Sequence, residues 1–162
     1  MAKKEKKKFE GFWAYFADGK IPIVLLFALT MMGQFAMILP RGLEKITLVW
    51  ASLGTPLLFL FLLLWMWLGY GYIKQKMGII GAIKGGSIIG LLIGILNMLL
   101  TLIRLYGNMG GIDMLGLQIV MQIAGTSGVA YFALSDLARQ LAVSVIFTAV
   151  GAIIKKKIVD RE

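Results

Sequence analysis

The chain has no cysteine and no histidine among its 162 residues. The first absence excludes disulfides, thiolate metal ligands, thiol catalysis and palmitoylation. The second removes the commonest general base, the Ser-His relay and nearly every haem or zinc arrangement. Acids are scarce too, with eight Asp and Glu against 17 Lys and Arg for a formal net charge of +9. Glu5, Glu10, Asp18, Asp160 and Glu162 fall in the terminal segments, and no two acids sit together inside an apolar run. Asp113 and Asp136 form a carboxylate dyad only if the chain between them folds back. The glycine-rich stretches "GNMGG" (Gly107 to Gly111) and "GTSG" (Gly125 to Gly128) follow no strand and carry no phosphate-loop lysine, so they read as hinges. These gaps argue against an enzyme, and the chain shows no cofactor motif and no metal-ligand spacing.

What fills the chain instead is apolar surface. Hydrophobic residues make up 59% of it and charged residues 15%, more than one soluble core of this size can hide. The expected medium is a lipid bilayer, where roughly 20 apolar residues in a helix span the hydrocarbon. Three runs are clear. Ile21 to Leu39 lies between Lys20 and Pro40-Arg41, Ile46 to Ile73 contains Pro56, and a third begins near Gly78 or Gly85 and ends at Ile103. Lys84 and Arg104, near the two ends of the third run, have stems long enough to reach the headgroups. Strands fit poorly, because the runs are long, do not alternate, and leave no way to close a barrel.

The cations set the orientation. Lys3, Lys4, Lys6, Lys7 and Lys8 precede the first run, Lys74 and Lys76 follow the second, and Lys155, Lys156 and Lys157 end the last apolar segment. Alternate connections are basic, so the positive-inside bias places both termini in the cytoplasm and requires an even number of spans. Residues 112 to 154 decide the count. If Met114 to Leu134 crosses fully, the remainder from Gln140 to Ile154 is too short to cross comfortably, and its crossing would land Lys155 to Lys157 outside, against the charge rule. Counting back about 20 residues from Lys155 makes Ser135 to Ile154 the fourth span, with Ser135 as its N-cap. Residues 112–124 then form a short helix that lies at the outer interface or dips in and returns. The expected fold is all-α: a polytopic membrane bundle with spans near 21–39, 46–73, 80–104 and 135–154, a basic N-terminal segment 1–19 and a tail 158–162. The N-terminal run has the length of a full span and no small-x-small cleavage site, so it reads as an uncut anchor.

Within the third run, Ala82, Gly86, Gly90 and Gly94 recur every fourth position, extended by Asn97 and Thr101. Such a row makes a shallow groove into which another helix can come close, substituting packing for the hydrophobic drive that lipid lacks. The sequence leaves open whether that helix belongs to this chain or to another copy. Asp136 and Arg139 stand three apart and face each other across one helical turn, as a gating pair or as a partly solvated salt bridge. Gln34, Thr47, Ser52, Thr55 and Asn97 are polar residues inside the runs, and Gln118 and Gln122 lie four apart on the short helix; they serve as interhelical glue or line a polar path near the outer leaflet.

Both ends read as membrane-surface devices. The run "KKEKKK" is followed by "FEGFWAYF", in which Phe9, Phe12, Trp13 and Phe16 recur at helical spacing. That pattern predicts an interfacial helix with its aromatic face inward and its lysines on anionic headgroups. Trp65, Trp67, Tyr70 and Tyr72 form an aromatic girdle at the cytoplasmic end of the second span. The cations argue against nucleic acid as a partner, because they collect beside span ends and no folded cytoplasmic domain is expected to present a groove. Two functional readings follow. One is a non-catalytic subunit packing against itself or other subunits of a membrane assembly. The other is a small channel, pore or transporter component built on the interrupted 112–154 element, although matching broken segments in the two halves are missing.

Overall fold

A computed structural model describes residues 14–17, 19–36, 44–74, 77–106 and 112–159. Among them every regular element is a helix: α1 (Ala14–Ala17), α2 (Lys20–Ala36), α3 (Glu44–Lys74), α4 (Gly78–Tyr106) and α5 (Ile112–Val159). The fold is an all-α bundle. Helices are the form these apolar runs must take, since a chain surrounded by hydrocarbon has to satisfy each backbone amide within its own segment. Three of the helices contain stretches long and apolar enough to cross a membrane, within Pro56–Ile73, Gly78–Tyr106 and Met121–Ile158. With 17 residues, α2 is shorter and rises about 25 Å. Pro22 falls in the first turn of α2, where its missing N–H costs nothing, whereas Pro56 lies inside α3 and removes one bond of the ladder. Thr47, Ser52 and Thr55 fall on the part of α3 where only the backbone is described.

The link between α3 and α4 is tight. The Met77 amide donates to the Tyr72 carbonyl at 3.1 Å, and Gly78 takes a positive φ of 71°, a conformation that glycine adopts without a Cβ penalty. The other special backbone position is Gly125 in α5, at φ 60° and ψ −152°, a region essentially closed to other residues. Ser127 Oγ donates to the Ala124 carbonyl at 2.7 Å across this kink. The break in the last third of the chain is therefore at Gly125, and the helix after it runs unbroken to Val159. Ser135 is an exposed residue inside that helix and not its N-cap. The expectation of a fourth span starting at Ser135 treated "SDLAR" as an interruption. The helix tolerates these polar residues because Asp136 and Arg139 pair with each other one turn apart.

The groove on α4 is filled by α5. A Cβ added at Gly86 would come within 2.7 Å of Thr148 Oγ1, one at Gly90 within 2.6 Å of Ser144 Cβ, and one at Gly94 within 2.5 Å of Leu137 Cδ1. As the numbers rise along α4 they fall along α5, so the two helices are antiparallel, and the same register sets Ala82 opposite Ala152. Both alanines are fully buried in one core cluster. A second close approach joins α3 to α5, where a Cβ on Gly69 would collide with the Thr148 carbonyl and one on Gly151 with the Met66 carbonyl. Around these contacts Leu64, Trp65, Leu68, Tyr72, Ile89 and Ile93 are buried, with Ile23 and Leu26 contributed by α2. A smaller cluster of Leu105 and Val129, backed by Leu102 and Met121, closes the end of α4 beside the kink.

Gly69→Ala and Gly151→Ala are each expected to destabilise the bundle by about 2 kcal/mol or more, the scale of overpacking against an immovable neighbour. Gly71→Ala, where an added Cβ meets nothing within 4 Å, should be neutral or stabilising by up to about 1 kcal/mol. Unfolding in detergent micelles reads the difference, and equal effects at the three positions would refute the assignment. By the same measure Gly90→Leu and Gly94→Leu should harm folding more than Leu91→Ala, since Leu91 is 41% exposed.

Candidate functional site

Five polar side chains from three helices meet in one connected chain. Arg104 Nη1 donates to Gln34 Oε1 at 2.9 Å, Gln34 Nε2 to Asn97 Oδ1 at 2.6 Å, and Asn97 Nδ2 to Asp136 Oδ2 at 2.7 Å. Arg139 closes the series on the other carboxylate oxygen, Asp136 Oδ1. The ends fix the direction of the middle. A guanidinium can only donate and an ionised carboxylate can only accept, so both amides must present oxygen toward Arg104 and nitrogen toward Asp136. Two aligned amide dipoles thus bridge a positive and a negative end, an arrangement that low dielectric strengthens.

Each partner is placed by the packing already described. Asn97 follows Gly94 on the face of α4 that α5 approaches, so a short side chain suffices to reach Asp136. Arg104 lies two turns further on, 2% exposed, and reaches back toward the start of α4. The expectation that Arg104 extends to the headgroups is thereby corrected, because a hydrogen-bonded interior acceptor on α2 is closer than water. Gln34, near the end of α2, ties this shortest long helix to the other two. Thr30, Ser87 and Ser144 return their hydroxyls to carbonyls of their own helices, the local option open to short hydroxyl side chains.

Of the proposed polar set, Asp136, Arg139 and Asn97 come together and Gln118 and Gln122 do not. The two glutamines lie on the α5 arm before Gly125, Gln118 half-buried and Gln122 exposed. Arg139 keeps 78% of its side chain exposed and Asp136 27%, so the network runs from a buried cation to a surface one. Among the described residues no group of three or more His, Cys, Asp or Glu comes together. The network holds one carboxylate, and that group is already engaged by two donors. Its evident chemistry is electrostatic tethering of helices.

The aromatic groups divide differently from the expected girdle. Trp65 and Tyr72 are fully buried in the core, whereas Trp67 is 48% exposed. They point inward because α3 turns that face toward α2 and α5. Tyr72 donates its hydroxyl to the Tyr15 carbonyl at 3.0 Å, and the two rings meet edge to face at 5.9 Å. Lys155 Nζ stands 5.0 Å above the Tyr70 ring and holds the end of α5 to α3. Phe16 packs with Tyr15 against the bundle core, not on a free aromatic face. Lys3, Lys4, Lys6, Lys7, Lys8, Phe9, Phe12 and Trp13 lie outside the described residues.

Replacing Gln34 or Asn97 by Leu is expected to cost about 1 kcal/mol each, in the range of interhelical hydrogen bonds in membranes. A double-mutant cycle on the pair should return a coupling of roughly 0.5–2 kcal/mol, whereas Gln122→Leu should change stability negligibly. Strict additivity of the Gln34 and Asn97 variants would dissolve the network. No family model, curated protein or solved structure matches this chain, so the site is understood through its own geometry.

Proposed function

We propose that this is a non-catalytic integral protein of the cell membrane that crosses the lipid four times, with both ends cytoplasmic, and serves as a packing subunit of a larger or homo-oligomeric assembly. The observation that carries the reading is the division of the surface. Gln34, Asn97, Arg104 and Asp136 join one helix to the next, while large apolar side chains such as Val24, Phe59, Ile80 and Ile146 are 64%, 62%, 72% and 56% exposed, as lipid or subunit contacts require. The rise of α2 falls a few Å short of the hydrocarbon, a mismatch that costs fractions of a kcal/mol per Å. Lys20, Lys84, Lys156 and Lys157 are exposed, suited to anionic headgroups together with the lysines of residues 3–8. The glycine row of α4 is occupied by α5 of the same chain, so a partner subunit meets the outer apolar faces.

In sealed vesicles, single cysteines at Gly110 and Ser127 should react from one side and a cysteine at Arg161 from the other. Cross-linking in the native membrane should trap a second subunit. A protein that remains monomeric and cross-links to nothing would defeat the subunit role, and labelling of Gly110 and Arg161 from one side would defeat the four spans. A channel or transporter component is the second reading, favoured by the network with its buried Arg104. The interruption in its 112–154 element is the kink at Gly125. Liposome flux that is absent, or unaltered by Asp136→Asn, would remove it.

A further inference from the structure

The ion pair of α5 lies deep in the bundle. On α4 no charged residue falls between Lys84 and Arg104, and from Gly85 to Ile103 this run rises roughly 27 Å at 1.5 Å per residue, close to the hydrocarbon thickness of about 30 Å. Gly94 is its midpoint. A Cβ there would meet side-chain atoms of Leu137 and Gln140, so the antiparallel register carries Asp136 and Arg139 to the level of that midpoint. In the four-span placement this is the middle of the hydrocarbon. The length of α5 agrees, because Gln140 to Ile154 alone rises roughly 21 Å and the apolar turns from Ala130 to Leu134 must complete the crossing.

Arg139 is nonetheless open, with 78% of its side chain exposed. Roughly 14 Å separate its level from either end of the α4 run, and a stem of three methylenes does not carry the guanidinium that far. Charged groups at such depth face a bundle interior, a water-filled cavity or one another. Within the chain Arg139 meets Asp136, and its outward side meets nothing among the described residues. Other open surfaces of the bundle, around Phe59 of α3 and Leu91 of α4, are apolar and suit lipid.

The residues beside Arg139 form a seam. Phe132, Arg139 and Ile146 alternate with Ser135, Ala142 and Ala149 at steps of three and four, on the side of α5 turned away from the Ser144 and Thr148 that face α4. Phe132 and Ile146 are 54% and 56% exposed, Ser135 and Ala142 are exposed and Ala149 is half-buried. Small residues at every seventh position let a second helix come close along a left-handed crossing, with each large side chain laid beside a small one.

We infer that this face of α5 is the contact between two copies of the chain, related by a two-fold axis along the membrane normal, with Arg139 of each copy set against Asp136 of the other. Charge complementarity selects the occupant. The face carries both signs one turn apart, and a parallel copy presents the same two at the same level, so the surface complements itself. An ionised carboxylate has about four acceptor sites, and Asn97 and Arg139 of its own chain leave room on Asp136 for a second guanidinium. Lipid tails offer no such counter-charge. The inference rests on the assembly role and four-span placement proposed above, and names the surface that serves them.

The test uses the full chain, which has no native cysteine, in phosphatidylcholine vesicles. Single cysteines at Ser135, Ala142, Phe59 and Leu91 are oxidised with copper phenanthroline, and linked dimers should form several-fold faster at Ser135 and Ala142 than at the other two. This scan keeps Arg139 and does not depend on how variants fold. Energy transfer between copies labelled at Lys156, followed on dilution in lipid, should show association weakened about tenfold in Arg139→Gln and largely restored in Arg139→Lys. Faster linkage at Phe59 or Leu91, or association indifferent to Arg139→Gln, overturns this surface while the assembly role stands. Linkage in the native membrane to a different protein, with no dimer, overturns the second copy and also leaves that role. A chain that stays monomeric in vesicles and links to nothing in the native membrane overturns the role itself.

Discussion

The close approach of α5 to α3 and α4 is the constraint on which the rest of this bundle depends. In lipid, exchanging one apolar contact for another yields little, so helices associate where backbones can nearly touch. Here the approach is made twice along one helix. Gly86, Gly90 and Gly94 receive Thr148, Ser144 and Leu137, and Gly69 and Gly151 admit carbonyls of the opposite helix. The buried Trp65, Tyr72, Ile89 and Ile93 fill the spaces that this spacing leaves beside the contact.

The polar network follows from that geometry. Asparagine and aspartate are too short to meet across ordinary helix spacing, and they meet here because the glycines have already drawn α4 and α5 together. Gln34 then recruits α2, and Arg104 supplies the positive end that orients both amides. Each bond that links these side chains sets a donor against an acceptor, which is what makes a buried polar series tolerable away from water.

The sequence made the all-α architecture and the long apolar helices legible, because apolar length and the lack of alternation leave few other forms. Pro56 stayed inside α3, as its apolar surroundings implied. The row on α4 was visible through its four-residue spacing, but its partner was harder to see. Ser144, Thr148 and Ala152 repeat the same spacing on α5, a matching row that reads as ordinary apolar helix when taken alone. Gly69 and Gly151 lie in no repeat, so only the crossing of α3 and α5 reveals their purpose. Arg104 is hidden from a sequence reading for a physical reason: a long cation near a span end normally finds water, and its interior acceptor Gln34 lies on another helix far away in the chain. Likewise Ser135 resembled a cap because its pairing neighbours Asp136 and Arg139 resembled a loop, while the true break needed the dihedral freedom of Gly125 alone.

The claim that Gly90 is glycine because Ser144 of the same molecule lies against it is tested most directly by a compensating pair. Unfolding free energies in micelles would be measured for Gly90→Ala, Ser144→Gly and the double variant. Relief of the collision should leave the double variant more stable than the sum of the single effects by roughly 1 kcal/mol or more, within the coupling range of contacting residues, and independently of protein concentration. Simple additivity, or a rescue that appears only at high protein concentration, would contradict the account.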